Sequence, residues 1–264
     1  MNALTVETRG PVLLATINRI DAHNALNAEV LDGLAEAVDR AESGPNVRAL
    51  VITGAGEKAF CAGADLKEVS TLDADAAQVK MRRGQSIMAA IENAEVPIIA
   101  AVNGLALGGG FELALACHFT VLSERASLGL PEVGLGLIPG YGGTQRLPRA
   151  VGDTAALHLI LTGETLKAQR AFELGITPVP PTAPEEVVDT ALSIADRIAA
   201  QGPNAVRSVL RAVRADRAIS PAALATETGL ISLAIVGDES SEGIAAFLEK
   251  RAPNFGAASA KSDD

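Results

Sequence analysis

Two glutamates carry the chemistry that this sequence can do. Glu112 follows three consecutive glycines, Gly108-Gly109-Gly110, in the otherwise uncharged stretch 100–117 (AAVNGLALGGGFELALAC). Glu132 is the one charge in 126–140, an apolar run punctuated by glycine (ASLGLPEVGLGLIPG). Burial raises carboxyl pKa values and a second carboxylate raises one of them further, so such a pair can hold one neutral and one ionised member near pH 7. One can then give a proton while the other takes one. The glycines add a second capability. They leave backbone N–H groups unshielded by a Cβ, and a helix starting there aims free N–H groups and a positive dipole end at whatever sits above it. That is an oxyanion site, with Glu112 electrostatically favoured in the first helical turn. Each feature alone has a plain alternative: glycines that only permit tight strand–helix packing, and glutamates that only cap helices.

The elements that must position these groups follow from periodicity and turn chemistry. Residues 5–9 and 12–18 read as a hairpin around Gly10-Pro11. Asn27 is an N-cap for a helix whose apolar positions Val30, Leu31, Leu34 and Val38 recur at helical spacing, ending near Gly44-Pro45. A strand over 48–53 is followed by a long amphipathic helix over 73–94 with Val79, Ile87, Met88 and Ile91 inward. The run 96–102 is a strand that passes through the glycine turn into the helix of Glu112; 119–123 is another strand, and 126–140 a loop. Alternation of this kind predicts an α/β fold with a parallel sheet and crossover helices. From 154 onward the pattern is helical apart from the proline-rich 177–184, with segments near 185–200, 203–215, 221–236 and 239–250. A stripe there, Leu224, Leu230, Leu233 and Ile235, is expected to be buried between subunits.

Composition removes several function classes. The 264 residues are 48% hydrophobic and 20% charged, enough for a sizeable core. The net charge is −10 and no basic cluster exceeds pairs such as Arg82-Arg83 and Lys250-Arg251, so no nucleic-acid partner is expected. Cys61 and Cys117 read as reduced, buried thiols, and His23, His118 and His158 lie in no ligand spacing, so no metal is expected. With no basic-then-apolar leader and no apolar run of about 18 residues, a soluble cytoplasmic protein without membrane association is expected.

Four ordered motifs carry a resemblance over nearly the full length: KAFCAGADL at 58–66, the stretch 100–117, SLGLPEVGLGLIPGYGGTQRLPRAVG at 127–152, and AAFLEKRAPNF at 245–255. The chain resembles the enoyl-CoA hydratase/isomerase (crotonase) family. The resemblance implies a crotonase-like superhelix of ββα units over 1–195, a helical C-terminal trimerisation region over 196–256 and a disordered tail over 257–264, assembled as a trimer or a dimer of trimers. It places an oxyanion hole on the N–H groups of Ala64 and Gly109, gripping the thioester carbonyl of an acyl-CoA. It places the two hydratase glutamates on Glu112 and Glu132, and a water-holding backbone position on Gly140. Ionised Glu112 is read as the base on water and neutral Glu132 as the acid at C2 of a 2-enoyl thioester. No cofactor is implied, coenzyme A being part of the substrate.

For the nucleotide the family implies Ala22, His23 and Ala25, with Ala62, Asp65 and Leu66 as backbone contacts, and Phe247 and Lys250 reaching the ADP portion from a neighbouring subunit. His23 stands where many relatives have arginine and Ile20 where they have proline, which makes a phosphate contact titratable or weaker. The segment 174–181 also departs from the family's pattern, with consequences for local geometry and the acyl pocket. Retaining both glutamates favours hydration over double-bond isomerisation. Hydrolases and decarboxylases of related thioesters would use the same amides, a carrier-protein thioester could replace the CoA ester, and some relatives bind RNA.

Overall fold

The computed structural model describes residues 2–215 and 219–255. Strands β1 (Leu4–Arg9) and β2 (Val12–Ile17) pair antiparallel as the expected hairpin. Helix α1 (Ala28–Ser43) starts where Asn27 accepts a hydrogen bond from the Val30 N–H, and it buries Val30, Leu31, Leu34 and Val38.

The chain then takes the same step three times: a strand in one sheet, a strand in a second, then helix. The first step is β3 (Ala49–Gly54), β4 (Ala59–Cys61), a short α2 (Leu66–Val69) and α3 (Ala74–Asn93). The second is β5 (Ile98–Val102), β6 (Leu105–Leu107) and α4 (Gly109–Ala116). The third is β7 (Phe119–Leu122), β8 (Ser127–Gly129), a 3-10 turn (Glu132–Leu135) and α5 (Gly143–Val151). The larger sheet has the order β1-β2-β3-β5-β7 and is parallel beyond the hairpin. The smaller has the order β4-β6-β8-β9, with β9 (Leu166–Lys167) antiparallel at its edge.

Three expectations are corrected here. The strand at 96–102 does not run on through the glycine turn; it ends at Val102, and β6 belongs to the other sheet. Asn103 makes this corner, its buried amide donating to the carbonyls of Gly54 (2.9 Å) and Gly56 (2.7 Å). The loop expected at 126–140 contains β8 and the 3-10 turn. Val79 does not face inward but is 68% exposed, because the buried stripe of α3 runs through Ala77, Met81, Gly84, Met88 and Ile91.

Strands β3 and β5 are buried along their whole length, as parallel strands covered on both faces must be. Leu50, Ile52, Ile98, Ala100 and Val102 face the main core with α1 and α3. Their neighbours Ala49, Val51, Ile99 and Ala101 face α8 (Val187–Ala199) through Val187, Ala191 and Ala195. Helix α6 (Asp153–Thr162) packs on α5 and on the 3-10 turn, and α7 (Ala168–Glu173) on β8 and β9.

Three helices complete the described chain: α9 (Pro203–Arg214), α10 (Pro221–Ile235) and α11 (Asp238–Glu249). Helix α9 has no buried residue. Helix α10 lies along α3 with Glu227, Thr228, Ile231, Ser232 and Ile235 buried, while Leu230, Leu233 and Val236 point outward. Ile235 therefore leaves the outward stripe expected of it, since it sits one turn beyond Ile231 on the inner face. The tail expected over 257–264 lies outside the described residues.

Candidate active site

The three parallel strands of the smaller sheet end side by side, with Cys61 paired to Ala106 and Leu107 to Gly129. Past the end of β4 comes Ala64, past β6 comes Gly109, and past β8 comes Glu132. The C-terminal edge of parallel strands is where open α/β sheets place their ligands. Two glycines make the close approach possible. Gly63 (φ +106°) lies against the first amide of α4, where an added Cβ would stand 3.7 Å from the Gly109 nitrogen. Gly108 (φ +50°) brings the start of α4 so close to Glu132 that an added Cβ would stand 2.9 Å from Oε1. The N–H groups of Ala64 and Gly109 have no acceptor among the described residues, and Gly109, as the first residue of its helix, has none within it. Two unsatisfied donors therefore stand beside a carboxylate.

Glu112, one turn into α4, is 2% exposed. Its Oε1 accepts hydrogen bonds from the N–H groups of Tyr141 (2.8 Å) and Gly143 (2.7 Å). Burial pushes its carboxyl well above the usual range, the charges of Glu132 and Glu227 push it further, and the two amides pull it back. Desolvation thus opposes the favourable field of the helix start, and the two amide hydrogen bonds act with that field. Glu132 is half-buried as a residue, but its Oε2 is buried without a hydrogen-bond partner. Burial is the main cause that carries its pKa up to about 7, offset by its own backbone N–H and reinforced by Glu227. Of the two, Glu112 is tied down by two N–H donors, which suit an ionised oxygen, whereas the lone Oε2 of Glu132 suits a protonated one. Gly140 offers an N–H with no acceptor among the described residues, and its carbonyl accepts from Gln85 Nε2 at 3.2 Å.

The residues expected at the nucleotide end are brought together in part. The loop containing Ala22, His23 and Ala25 is stitched to 62–65 by Ala62 N–H to the His23 carbonyl (3.0 Å), Leu26 N–H to the Gly63 carbonyl (2.8 Å) and Asp65 N–H to the Leu26 carbonyl (3.1 Å). Asp65 also caps α2, which starts at Leu66, and pairs with Arg19 at 3.0 Å. Arg19 donates in addition to the Ala25 carbonyl at 2.7 Å, so it braces both loops. His23 is exposed, in a left-handed conformation. Phe247 is 60% exposed and Lys250 is exposed at the end of α11. No hydrogen bond or ion pair among the described residues joins either to the 22–26 and 62–66 loops.

Residues 7–258 match the enoyl-CoA hydratase/isomerase family. The chain belongs to that family. It is 40% identical over 257 residues to a probable enoyl-CoA hydratase of Bacillus subtilis, covering 97% of this chain and 99% of the relative. It is 41% identical over 253 residues to a crotonyl-CoA hydratase of Syntrophomonas wolfei, covering 96% and 97%. A solved enoyl-CoA hydratase from Bacillus anthracis superposes with a TM-score of 0.79 at 37% identity, covering 96% of this chain and 98% of that one. The mixed α/β architecture, two parallel-stranded sheets with helices over them, is the crotonase fold.

Within this member of the family, residues not singled out from the sequence also build the site. Glu227 of α10 is a third buried carboxylate, 3% exposed. The signal that marks Glu112 and Glu132 marks it too, since it is the one charge in 219–237. The ring of Tyr141 fills the space beside Gly84 and Gly109, and its hydroxyl is buried without a partner. The expected thiols are buried, and burial pushes both Cys61 and Cys117 up to about 12. His118 accepts from the Ile98 N–H, and burial pushes it down to about 4. The described residues hold no cluster of three or more metal-binding side chains and no helix long and apolar enough to cross a membrane.

Proposed function

We propose that this protein is an enoyl-CoA hydratase, adding water across the 2,3 double bond of a 2-enoyl-CoA thioester and running the reverse dehydration. One observation carries the reading: two buried carboxylates, differently hydrogen-bonded, stand beside a pair of free amides. The amides of Ala64 and Gly109 take the thioester carbonyl, which makes C3 electrophilic and stabilises the enolate that forms. Removing one such donor typically costs roughly 3 kcal/mol of transition-state stabilisation. Glu112 and Glu132, helped by the Gly140 N–H, hold the water. Its oxygen bonds to C3 as its proton passes to Glu112; the π electrons move onto the carbonyl, and Glu132 delivers its proton to C2 as the carbonyl re-forms. Dehydration reverses the roles.

Coenzyme A arrives and leaves with the acyl group, and these steps call on no other cofactor or metal. Its nucleotide lies along Ala22, His23, Ala25, Ala62, Asp65 and Leu66, with Phe247 and Lys250 supplied by a neighbouring subunit of a trimer or a dimer of trimers in the cytoplasm. The exposed outward face of α10 supports such an assembly. A panel of 2-enoyl-CoA substrates, followed by loss of enoyl-thioester absorbance, tests the reading. Undiminished turnover in Glu112→Gln, or no hydration of any member of the panel, would overturn it.

A further inference from the structure

The peptide groups of the loop 140–144 point alternately to two sides. The N–H groups of Tyr141 and Gly143 meet Glu112, whereas those of Gly142 and Thr144 meet Glu227, at 2.7 Å to Oε1 and 3.3 Å to Oε2. The Thr144 hydroxyl donates to Oε2 as well, and Gln85 Nε2 donates to Oε1 at 3.1 Å. Gln85 is itself fixed by the Thr228 hydroxyl (2.8 Å) and bonds the Gly140 carbonyl. Four donors converge on one carboxylate, the only kind of side chain that accepts on all sides and donates on none. Such a group is expensive to bury: desolvation raises the Glu227 carboxyl, and its four partners pull it back. Helix packing alone does not call for it, since an apolar residue at this position of α10 would pack without that cost.

We propose that Glu227 is a positioning residue for hydration, clasping one side of the loop so that its other side presents two amides to Glu112. This rests on the proposed role of Glu112 as the base. The clasp is delivered by α10, so the helical C-terminal layer and the catalytic carboxylate are joined through one loop, 85 residues apart in sequence at Gly142.

Three variants test it, assayed with crotonyl-CoA well below each variant's unfolding midpoint and scaled to folded protein. Glu227→Ala should lower kcat about 10–100-fold, the size expected when a reacting group shifts by about 1 Å, with KM within about threefold. Glu227→Gln keeps one accepting oxygen for Gly142 and Gln85 and should recover most of that loss. In a Glu112→Gln background, Glu227→Ala should cost less than about twofold more, because the residue acts through Glu112. A full multiplicative loss there, or wild-type kcat per folded molecule in Glu227→Ala, would overturn the proposal. Undiminished kcat in Glu112→Gln alone would instead overturn the hydratase reading, so the two failures are distinguishable.

Discussion

The rim where β4, β6 and β8 end and the layer formed by α9, α10 and α11 are both incomplete, but in opposite senses. At the rim the unmet atoms are polar: the N–H groups of Ala64, Gly109 and Gly140, and Glu132 Oε2. In the helical layer, Ser232 Oγ apart, they are apolar. Val209, Val213, Leu230 and Leu233 are each more than half exposed, and a groove of about 930 Å³ separates α9 from the body near Pro97, His118 and Ile176. Buried polar groups without partners cost stability and are kept where a ligand satisfies them, whereas exposed apolar stripes mark surfaces that another protein covers. The rim is thus shaped for a small polar acceptor, and the helices for an apolar covering surface.

The most damaging way to break this contrast is at the carboxylates. Glu112→Gln and Glu132→Gln keep volume and hydrogen-bonding capacity but end proton exchange, so each should lower kcat by about 10²–10⁴ with KM within a few-fold. If both act on one water, as proposed, the double variant should lose far less than the product of the single losses. Hydration intact in Glu132→Gln but abolished in Glu112→Gln would point to a single-acid reaction such as double-bond isomerisation.

The same Glu132→Gln change should make the protein more stable. Glu132 titrates near 4.5 ordinarily and at about 7 when folded, so the folded state holds the proton more tightly. Wild-type stability contributed by this group is complete below about pH 4.5 and is lost as pH rises through about 7. Glutamine has no such loss. Its advantage should grow across that window and level off above it at up to about 3 kcal/mol, measured by denaturant unfolding at pH 4 and pH 8. Equal stability at pH 8 would mean that the rim stores no such strain.

The helical layer is broken more gently. Leu233 is 69% exposed on the outward face of α10, opposite Glu227 and Ile231. Leu233→Glu should leave the fold intact, with unfolding changed by under about 0.5 kcal/mol for the isolated subunit. In light scattering at micromolar concentration the variant should approach the 27.0 kDa subunit mass, while the parent shows a multiple of it. A wild-type mass of one subunit would remove the contrast altogether.

What the sequence made legible divides along the same line. The hairpin, the Asn27 cap, α1 and α3, and the lone carboxylates Glu112 and Glu132 are encoded locally, by period, turn residues and isolated charge. The strands β4, β6 and β8, each three residues long, are too short to show an alternation, and their identity comes from pairing with one another. Glu227 was marked by the same isolated charge, but in a helix read only for its apolar outer stripe. Its partners at 142 and 144 come from a distant loop that no helical period reveals.

The smallest effect tests the edge of the rim. His23 is exposed on the loop stitched to Ala62, in a left-handed conformation. If His23 meets a phosphate of the nucleotide, His23→Ala should raise KM for an acyl-CoA by a few-fold with kcat unchanged, and His23→Arg should keep KM at or below the wild-type value. An exposed ion pair is screened by salt, so the difference between the wild type and His23→Ala should shrink at high ionic strength. An unchanged KM in His23→Ala would leave His23 a surface residue and put phosphate recognition on the backbone of the two loops.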